Sequence, residues 1–381
     1  YPEGNFYDNC QSLISFTKVL GSIISEALIS SLPPESSSPN LCFTYAPGKN
    51  ISCFLFLLSA LSLSAQDPQL SQNLANPLLS SPAFAGLQDQ NKVYLSHRNQ
   101  WPNQSANYQF SAAALELSLG KINSGLGLLV SSDKQFSNLQ STSISLQYAY
   151  HANLNENTLL SMGIQGSGVF RSLDYTHLTY GDQLGQFLVN GSLGNTFDPT
   201  ALSFVNSVSY VDLSAGLLLN HSNYWFGVSA HHVNRPNQSL IRSSDDLMAP
   251  KLALMTGLNF PLSEGKSIKP ALYIKNQGVF SQLDLGTYLQ LDPIVLGLWY
   301  RGLPLNKISG ESSASRESLI GLIGIQNNRF SLGYSYDFTV SGLGIGSGGA
   351  HELSFSYVLN WDFGQRKTYQ RFRQSFACPK F

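Results

Sequence analysis

Between residues 92 and 360 the chain alternates apolar and polar side chains again and again, and that period of two restricts the fold more than any other feature. Ile144, Leu146, Tyr148 and Tyr150 share one parity, while Ser143, Ser145, Gln147 and Ala149 share the other, which is the pattern of a strand with one greasy and one polar face. Val211, Leu213, Ala215, Leu217 and Leu219 alternate in the same way with Asp212, Ser214 and Gly216. So do Phe330, Leu332, Tyr334 and Tyr336 with Ser331, Gly333, Ser335 and Asp337, and Leu353, Phe355, Tyr357 and Leu359 with Glu352, Ser354 and Ser356. Glu116 and Asp284, each between leucines, fall on the polar parity, a placement that suits a wet interior. A change of phase between Ala112 and Leu115 predicts a bulge in the second run.

About 14 such runs are present, each of roughly the 9 to 13 residues that a tilted strand needs to cross a bilayer. They fall at 92–98, 107–119, 123–132, 140–152, 158–170, 207–219, 223–232, 249–260, 268–276, 279–290, 293–301, 316–326, 328–337 and 350–360. Connections after even-numbered runs are tight, at 120–122, 152–157, 220–222, 261–266, 291–292 and 327. The long ones, at 171–206, 233–248, 302–315 and 338–349, all follow odd-numbered runs. Outer-membrane barrels segregate short periplasmic turns from long surface loops in this way. The predicted fold is therefore all-β, a transmembrane antiparallel barrel of the outer membrane.

Charge usage agrees. Charged residues make up only 12% of the chain and the net charge is −1, which argues against a nucleic-acid partner that would need Lys and Arg clusters. A soluble surface normally carries about twice that charge, whereas a barrel faces lipid outside and can be polar but un-ionised inside. A soluble β-sandwich or propeller would also alternate, but no blade-length repeat is present. Trp225, Trp299 and Trp361, near predicted strand ends, fit interfacial aromatic girdles.

Upstream of the barrel, residues 51–66 read ISCFLFLLSALSLSAQ behind Lys49. A weak positive start, an h-region of roughly ten residues and the small Ser64-Ala65 pair make 49–65 a signal peptide cleaved after Ala65. Residues 1–48 precede it and are read as a spurious or non-native upstream extension. The mature chain then divides into a periplasmic N-terminal segment at 66–91, the barrel at 92–360, and a basic, aromatic periplasmic tail at 361–381. Of the segment at 66–91, the stretch Pro82-Ala83-Phe84-Ala85-Gly86 is a plug or mouth cover on one reading and a linker on the other. Only Cys378 of the four cysteines remains after processing, so no internal disulfide is expected.

Catalytic chemistry finds no constellation. His231 and His232, adjacent in a predicted strand, should point to opposite faces and not act as a pair. No GxSxG elbow, HExxH helix or P-loop occurs. Asp245-Asp246 offers two carboxylates where calcium wants about six oxygens. The glycines of 342–349 precede a strand and not a helix, so no phosphate cradle forms. The expectation is of no enzyme activity, no cofactor and no metal.

Specific motifs then carry a resemblance. Gln66-Asp67-Pro68-Gln69, Asn76-Pro77-Leu78 and Ser81-Pro82-Ala83-Phe84-Ala85-Gly86 resemble the opening of the PorP/SprF outer-membrane proteins of the Bacteroidetes. His97-Arg98-Asn99-Gln100-Trp101-Pro102, Arg171-Ser172-Leu173-Asp174, Thr179-Tyr180-Gly181-Asp182-Gln183, His231-His232-Val233-Asn234-Arg235-Pro236 and Trp299-Tyr300-Arg301-Gly302 follow in family order. The closing pair is Leu332-Gly333-Tyr334-Ser335-Tyr336-Asp337 with His351-Glu352-Leu353-Ser354-Phe355-Ser356-Tyr357, so the resemblance spans 66–381. It implies a role in type IX secretion and gliding motility. The implied partners are outer-membrane lipid, periplasmic ring proteins, an OmpA-like peptidoglycan-binding lipoprotein and the C-terminal domain of a secreted adhesin. The location it implies is the cell outer membrane, with both mature termini periplasmic.

Candidate partner-binding residues are Arg98, Asn99 and Trp101 at the first external connection, Asp174, Tyr180 and Asp182 in the longest loop, and Arg235. Trp101 makes an interfacial anchor at the rim the preferred reading of the first three. In the tail, Arg366, Arg371, Phe372, Arg373 and Phe376 combine guanidinium groups and aromatic rings, both enriched in binding hot spots. The alternative function is an outer-membrane channel or transporter for a small solute.

Overall fold

The computed structural model describes residues 67–88, 90–104, 107–135, 138–174, 181–183, 195–197, 202–242, 244–303, 315–340 and 345–361. The expected extension and signal peptide (1–65), Tyr180, and the tail residues Arg366, Arg371, Phe372, Arg373 and Phe376 lie outside the described residues.

Fifteen strand segments are described: β1 (Asn91–Gln100), β2 (Tyr108–Leu119), β3 (Ser124–Gln135), β4 (Leu139–Asn155), β5 (Thr158–Leu173), β6 (Ser207–His221), β7 (Tyr224–His231) and β8 (Lys251–Leu258). The remainder are β9 (Phe260–Ser263), β10 (Lys266–Gln277), β11 (Phe280–Leu291), β12 (Ile294–Leu303), β13 (Ser315–Gln326), β14 (Phe330–Thr339) and β15 (Ala350–Leu359). Each pairs antiparallel with its chain neighbour, and β15 closes on β1 from Asn91↔Leu359 to Gln100↔Ala350. Because β8 and β9 both pair with β10, interrupted only at Asn259, they form one strand of the wall, and the ring is a closed 14-stranded barrel.

Alternation dictates the wall. Along β6 the odd positions Val211, Leu213 and Leu217 are exposed on the outside, while Asp212, Ser214 and Leu218 are buried inside. Leu146, Ile164 and Leu298 are about two-thirds exposed, which suits a surface bathed in hydrocarbon and no other. No described helix is long and apolar enough to cross a membrane; the strands do the crossing. Short turns at 120–123, 156–157, 222–223, 264–265, 292–293 and 327–329 gather at one mouth, and the strand ends Gln100, His231, Leu303 and Thr339 lie at the other.

Three expectations need correction here. No bulge interrupts β2: its register with both β1 and β3 is continuous, and Phe110, Ala112, Ala114 and Glu116 all face inward. The apparent change of phase came from Ala112 and Ala114, which are small enough to suit either face. Trp225 and Trp299 are not girdle residues, being 0% and 2% exposed on the inner face, where the interior is packed and not wet. Their partners there are Phe84, Tyr273 and Tyr288, with ring centroids 5.2 to 6.3 Å apart. Trp361, half exposed, is the one of the three tryptophans that faces out.

The chain divides into two compact units, one of Gln66–Asp174 with Val205–Phe381 that holds the barrel, the other of Tyr1–Ala65 with Tyr175–Phe204. In the second unit Asp182 accepts hydrogen bonds from Phe197 N (2.6 Å) and Thr196 Oγ1 (3.0 Å).

Candidate functional site: the occupied lumen

Residues 67–88 carry little regular structure, only a helical turn at Pro77–Ser80 and a 3-10 turn at Pro82–Phe84. A segment so poor in internal hydrogen bonds must satisfy its backbone elsewhere, and it does so on the inward side chains of the wall. Moving from Asp67 to Gly86, its partners run from the long-connection mouth to the short-turn mouth. Asp67 meets Lys251 at the start of β8 and Gln277 at the end of β10. Leu78 O accepts from Gln147 in the middle of β4, Ala83 O from Ser161 near the start of β5, and Gly86 N donates to Glu116 near the end of β2. The segment therefore threads the barrel from end to end, and β1 begins where it emerges.

Its leading half is held by charge. Glu352 accepts from the backbone N–H of Ser71 (2.7 Å) and of Gln72 (3.0 Å). The same carboxylate pairs with Arg98 at 3.1 Å, and Arg98 reaches Asp337 at 2.8 Å. Arg301 joins Asp337 to Asp284 and donates to Leu70 O, while Lys275 bridges Asp284 and Asn73 Oδ1. Three cations thus face three carboxylates, all almost wholly out of water except the half-buried Lys275, with the segment's backbone among them. Such a group is tolerable only because each charge is paired and hydrogen-bonded.

The trailing half is held by shape. Ala83, Phe84 and Leu87 join one apolar cluster with Leu159, Leu218, Trp225, Met255, Tyr273 and Trp299. Leu78 and Ala85 join a second with Tyr94, Phe110, Ala112 and Leu129. Wall glycines admit the backbone: a Cβ at Gly125 would lie 2.1 Å from Ala85 O, and one at Gly163 would lie 2.4 Å from Ala83 N.

At the leading end, His232 departs from expectation. The strand stops at His231, and His232 adopts a left-handed conformation (φ +57°) that turns its ring inward beside that of His231, 6.3 Å away. The two histidines therefore share a face. His232 Nε2 lies 2.8 Å from Asp67 and Nδ1 2.9 Å from Asp212. Burial opposes the charged form of Asp67, yet Lys251 and His232 hold its carboxyl well below the usual range. Burial likewise opposes the His232 cation, but the Asp67 and Asp212 carboxylates push its pKa up to about 9.

Of the sequence candidates, Arg98 lies within β1, not in the connection after it, and is an interior ion-pair residue with 2% exposure. Asn99 is in the same strand, and Trp101 follows it with φ +56°, its N–H donating to Gly349 O at 2.8 Å. Asp174 N donates to Asn138 O just past β5. Arg235 is exposed with φ +47°. Burial opposes the charged form of Asp182, but hydrogen bonds from Phe197 N, Thr196 Oγ1 and the Gln183 backbone together outweigh it and lower its pKa. Sequence reasoning missed the convergence of Ser71, Gln72 and Asn73 on Arg98, Asp284, Arg301, Asp337 and Glu352; the signal available was five charges on inward parities. Asp67 and Trp361 lie at opposite mouths, since Trp361 O accepts from Asn91 at the short-turn end. Among the described residues no cluster of His, Cys, Asp and Glu is arranged to hold a metal ion.

A family model described as type IX secretion system membrane protein PorP/SprF matches residues 62–357. Among solved structures, the chain is similar to the toluene transporter TbuX of Ralstonia pickettii, at 10% identity and a TM-score of 0.40, covering 74% of this chain and 91% of that one. It is also similar to the toluene transporter TodX of Pseudomonas putida, at 12% identity and a TM-score of 0.40, covering 78% and 95%. No curated protein matches the sequence.

Proposed function

The chain belongs to the PorP/SprF family of type IX secretion system membrane proteins, and from that premise we propose that it works as a closed scaffold in the outer membrane and not as a solute channel. The observation that carries this reading is the occupied lumen: residues 67–88 bond to inward side chains from mouth to mouth. A barrel of about 14 strands is wide enough for a channel only if nothing fills it. In this reading the short turns are periplasmic, so the chain after Trp361 enters the periplasm and the long connections face outward.

The scaffold then has two working ends. On the periplasmic side, the tail with Arg366, Arg371, Phe372, Arg373 and Phe376 docks ring proteins or an OmpA-like peptidoglycan-binding lipoprotein. Outside, the connection after β5, with Asp174, Tyr180 and Asp182, together with Arg235, Asn99 and Trp101, supports export and attachment of an adhesin through its C-terminal domain. Removing residues 185–196 should leave barrel assembly intact and lower the adhesin retained at the surface; wild-type retention in that strain would contradict the outer role. Truncation after Gly364 should abolish co-purification of periplasmic partners, and unchanged recovery would contradict the inner one.

A further inference from the structure

The two edges of β6 are served unequally. On one side β5 pairs with it from Ser172↔Ser207 to Thr158↔His221, while on the other β7 pairs with it only from Ala215↔Ala230 to Asn220↔Trp225. The difference arises at the end of β7, where His232 takes its left-handed turn and the chain leaves the wall although β6 still reaches on to Ser207. Two groups follow β6 past that point. Val233 N donates to Leu213 O at 3.0 Å, and the Asn234 side chain accepts from Leu213 N at 3.0 Å and donates to Val211 O at 2.7 Å. That side-chain amide stands where a neighbouring strand's peptide group would, so the edge is already shaped to take one.

Successive residues of an antiparallel strand direct their main-chain groups to alternate edges. Both groups of Leu213 point away from β5, so the N–H of Val211 and both groups of Ser209 and Ser207 point that way too. All three residues are exposed, and among the described residues no strand pairs with them on that side. The connection after β7 does not take the place. It folds on itself, with an antiparallel bridge at Asn237↔Leu247 and Met248 N donating to Pro236 O at 2.9 Å, and it meets the chain ahead of β6 through Val205 N, which donates to Leu240 O at 2.8 Å. Beside the open edge the outward side chains are Phe170, Ser209 and Val211, exposed and without charge.

We propose that the Ser207 to Val211 edge of β6 is a docking strand, to which an extended segment of a second protein adds through main-chain hydrogen bonds and continues the sheet beyond Asn234. The stretch has room for about five residues, or roughly 17 Å of strand. The outward side chains of the docked segment, lying beside Ser209 and Val211, are apolar or small. An unpaired strand edge is a template for another chain, and here it stands at the long-connection mouth. The proposal rests on the reading that this mouth faces outward and holds an exported adhesin, and it names the contact by which that protein is held.

Ser209→Pro tests it without unsettling the wall. The Ser209 N–H points away from β5, so proline there removes no bond of the barrel, while it deletes the donor at the middle of the open edge and sets a ring in the path of a docked segment. The full protein in lipid nanodiscs is titrated with a fluorescein-labelled probe peptide, Lys-Thr-Val-Thr-Val-Thr-Lys, and followed by anisotropy and by amide hydrogen exchange. Wild type and Ser209→Ala should bind it saturably, with slowed exchange at Ser209 and Val211, and Ser209→Pro should lose the binding. In cells, Ser209→Pro should keep the wild-type barrel level in the outer membrane and lose the retained adhesin. Equal binding by Ser209→Pro, or none by wild type, would overturn docking at this edge. Binding that appears only after residues 185–196 are removed would overturn it as well, by making the edge a seat for the chain's own connection. Adhesin lost on that deletion but retained in Ser209→Pro would keep the outer role and overturn the edge as its place.

Discussion

Arg98 has Asp337 and Glu352 within 3.1 Å and almost no contact with water, so its worth is set by what its removal would strand. Arg98→Ala leaves two buried carboxylates facing Arg301, the Ser71 hydroxyl and the Ser71 and Gln72 amides. Breaking a buried pair from one side costs about 3–5 kcal/mol, and denaturant unfolding of the detergent-solubilised barrel should show a loss of that size. Arg98→Lys should recover only part, because a single ammonium cannot present the fork that reaches both acids and Ser71 Oγ. At Gly163 the reverse holds: Gly163→Val drives a side chain into Pro82 and Ala83 backbone atoms and should cost about 1–3 kcal/mol by overpacking. The alternation assigned the inward parity of Glu116, Asp284, Asp337 and Glu352 correctly, but could not name their partners. Parity tells which way a residue points, and nothing in it tells what stands opposite. Trp225 and Trp299 were misread for the same reason, since a tryptophan near a strand end is equally at home in a girdle or against an interior Phe84.

Among the elements, the strands were legible and the threaded segment was not. Runs such as 207–219 and 350–360 carry their periodicity in themselves, because each is solvated by lipid on one face. Residues 67–88 have no period, as each position answers to a different strand: Gln72 to Ser335 and Ser354, Leu78 to Gln147, Ala85 to His151. A resemblance at Gln66 to Gly86 flagged the stretch, while its physical role needed coordinates. The short β7 was likewise hidden, because His232 continues the apparent run yet leaves the strand through a left-handed turn. The contribution of the trailing half can be measured at Phe84, which is buried against Trp225. Phe84→Ala should destabilise the barrel by about 3–5 kcal/mol. Unfolding at the wild-type midpoint would mean that the segment is a loosely held tether.

Taken whole, the molecule is a wall with a hydrophobic outside, a packed inside and two mouths of unlike character. Fold class and strand count followed from the low charge, the period and the segregation of connection lengths, all of which are consequences of one bilayer and one closed ring. The interior did not follow, because Ser, Gly and Gln on the inward parity suit a water-filled pore and a protein-filled one alike. Single-channel recording in planar bilayers at neutral pH decides between them. The account predicts no steady current from the full protein and a persistent open pore once residues 67–88 are deleted; a steady, large conductance from the intact protein would contradict it.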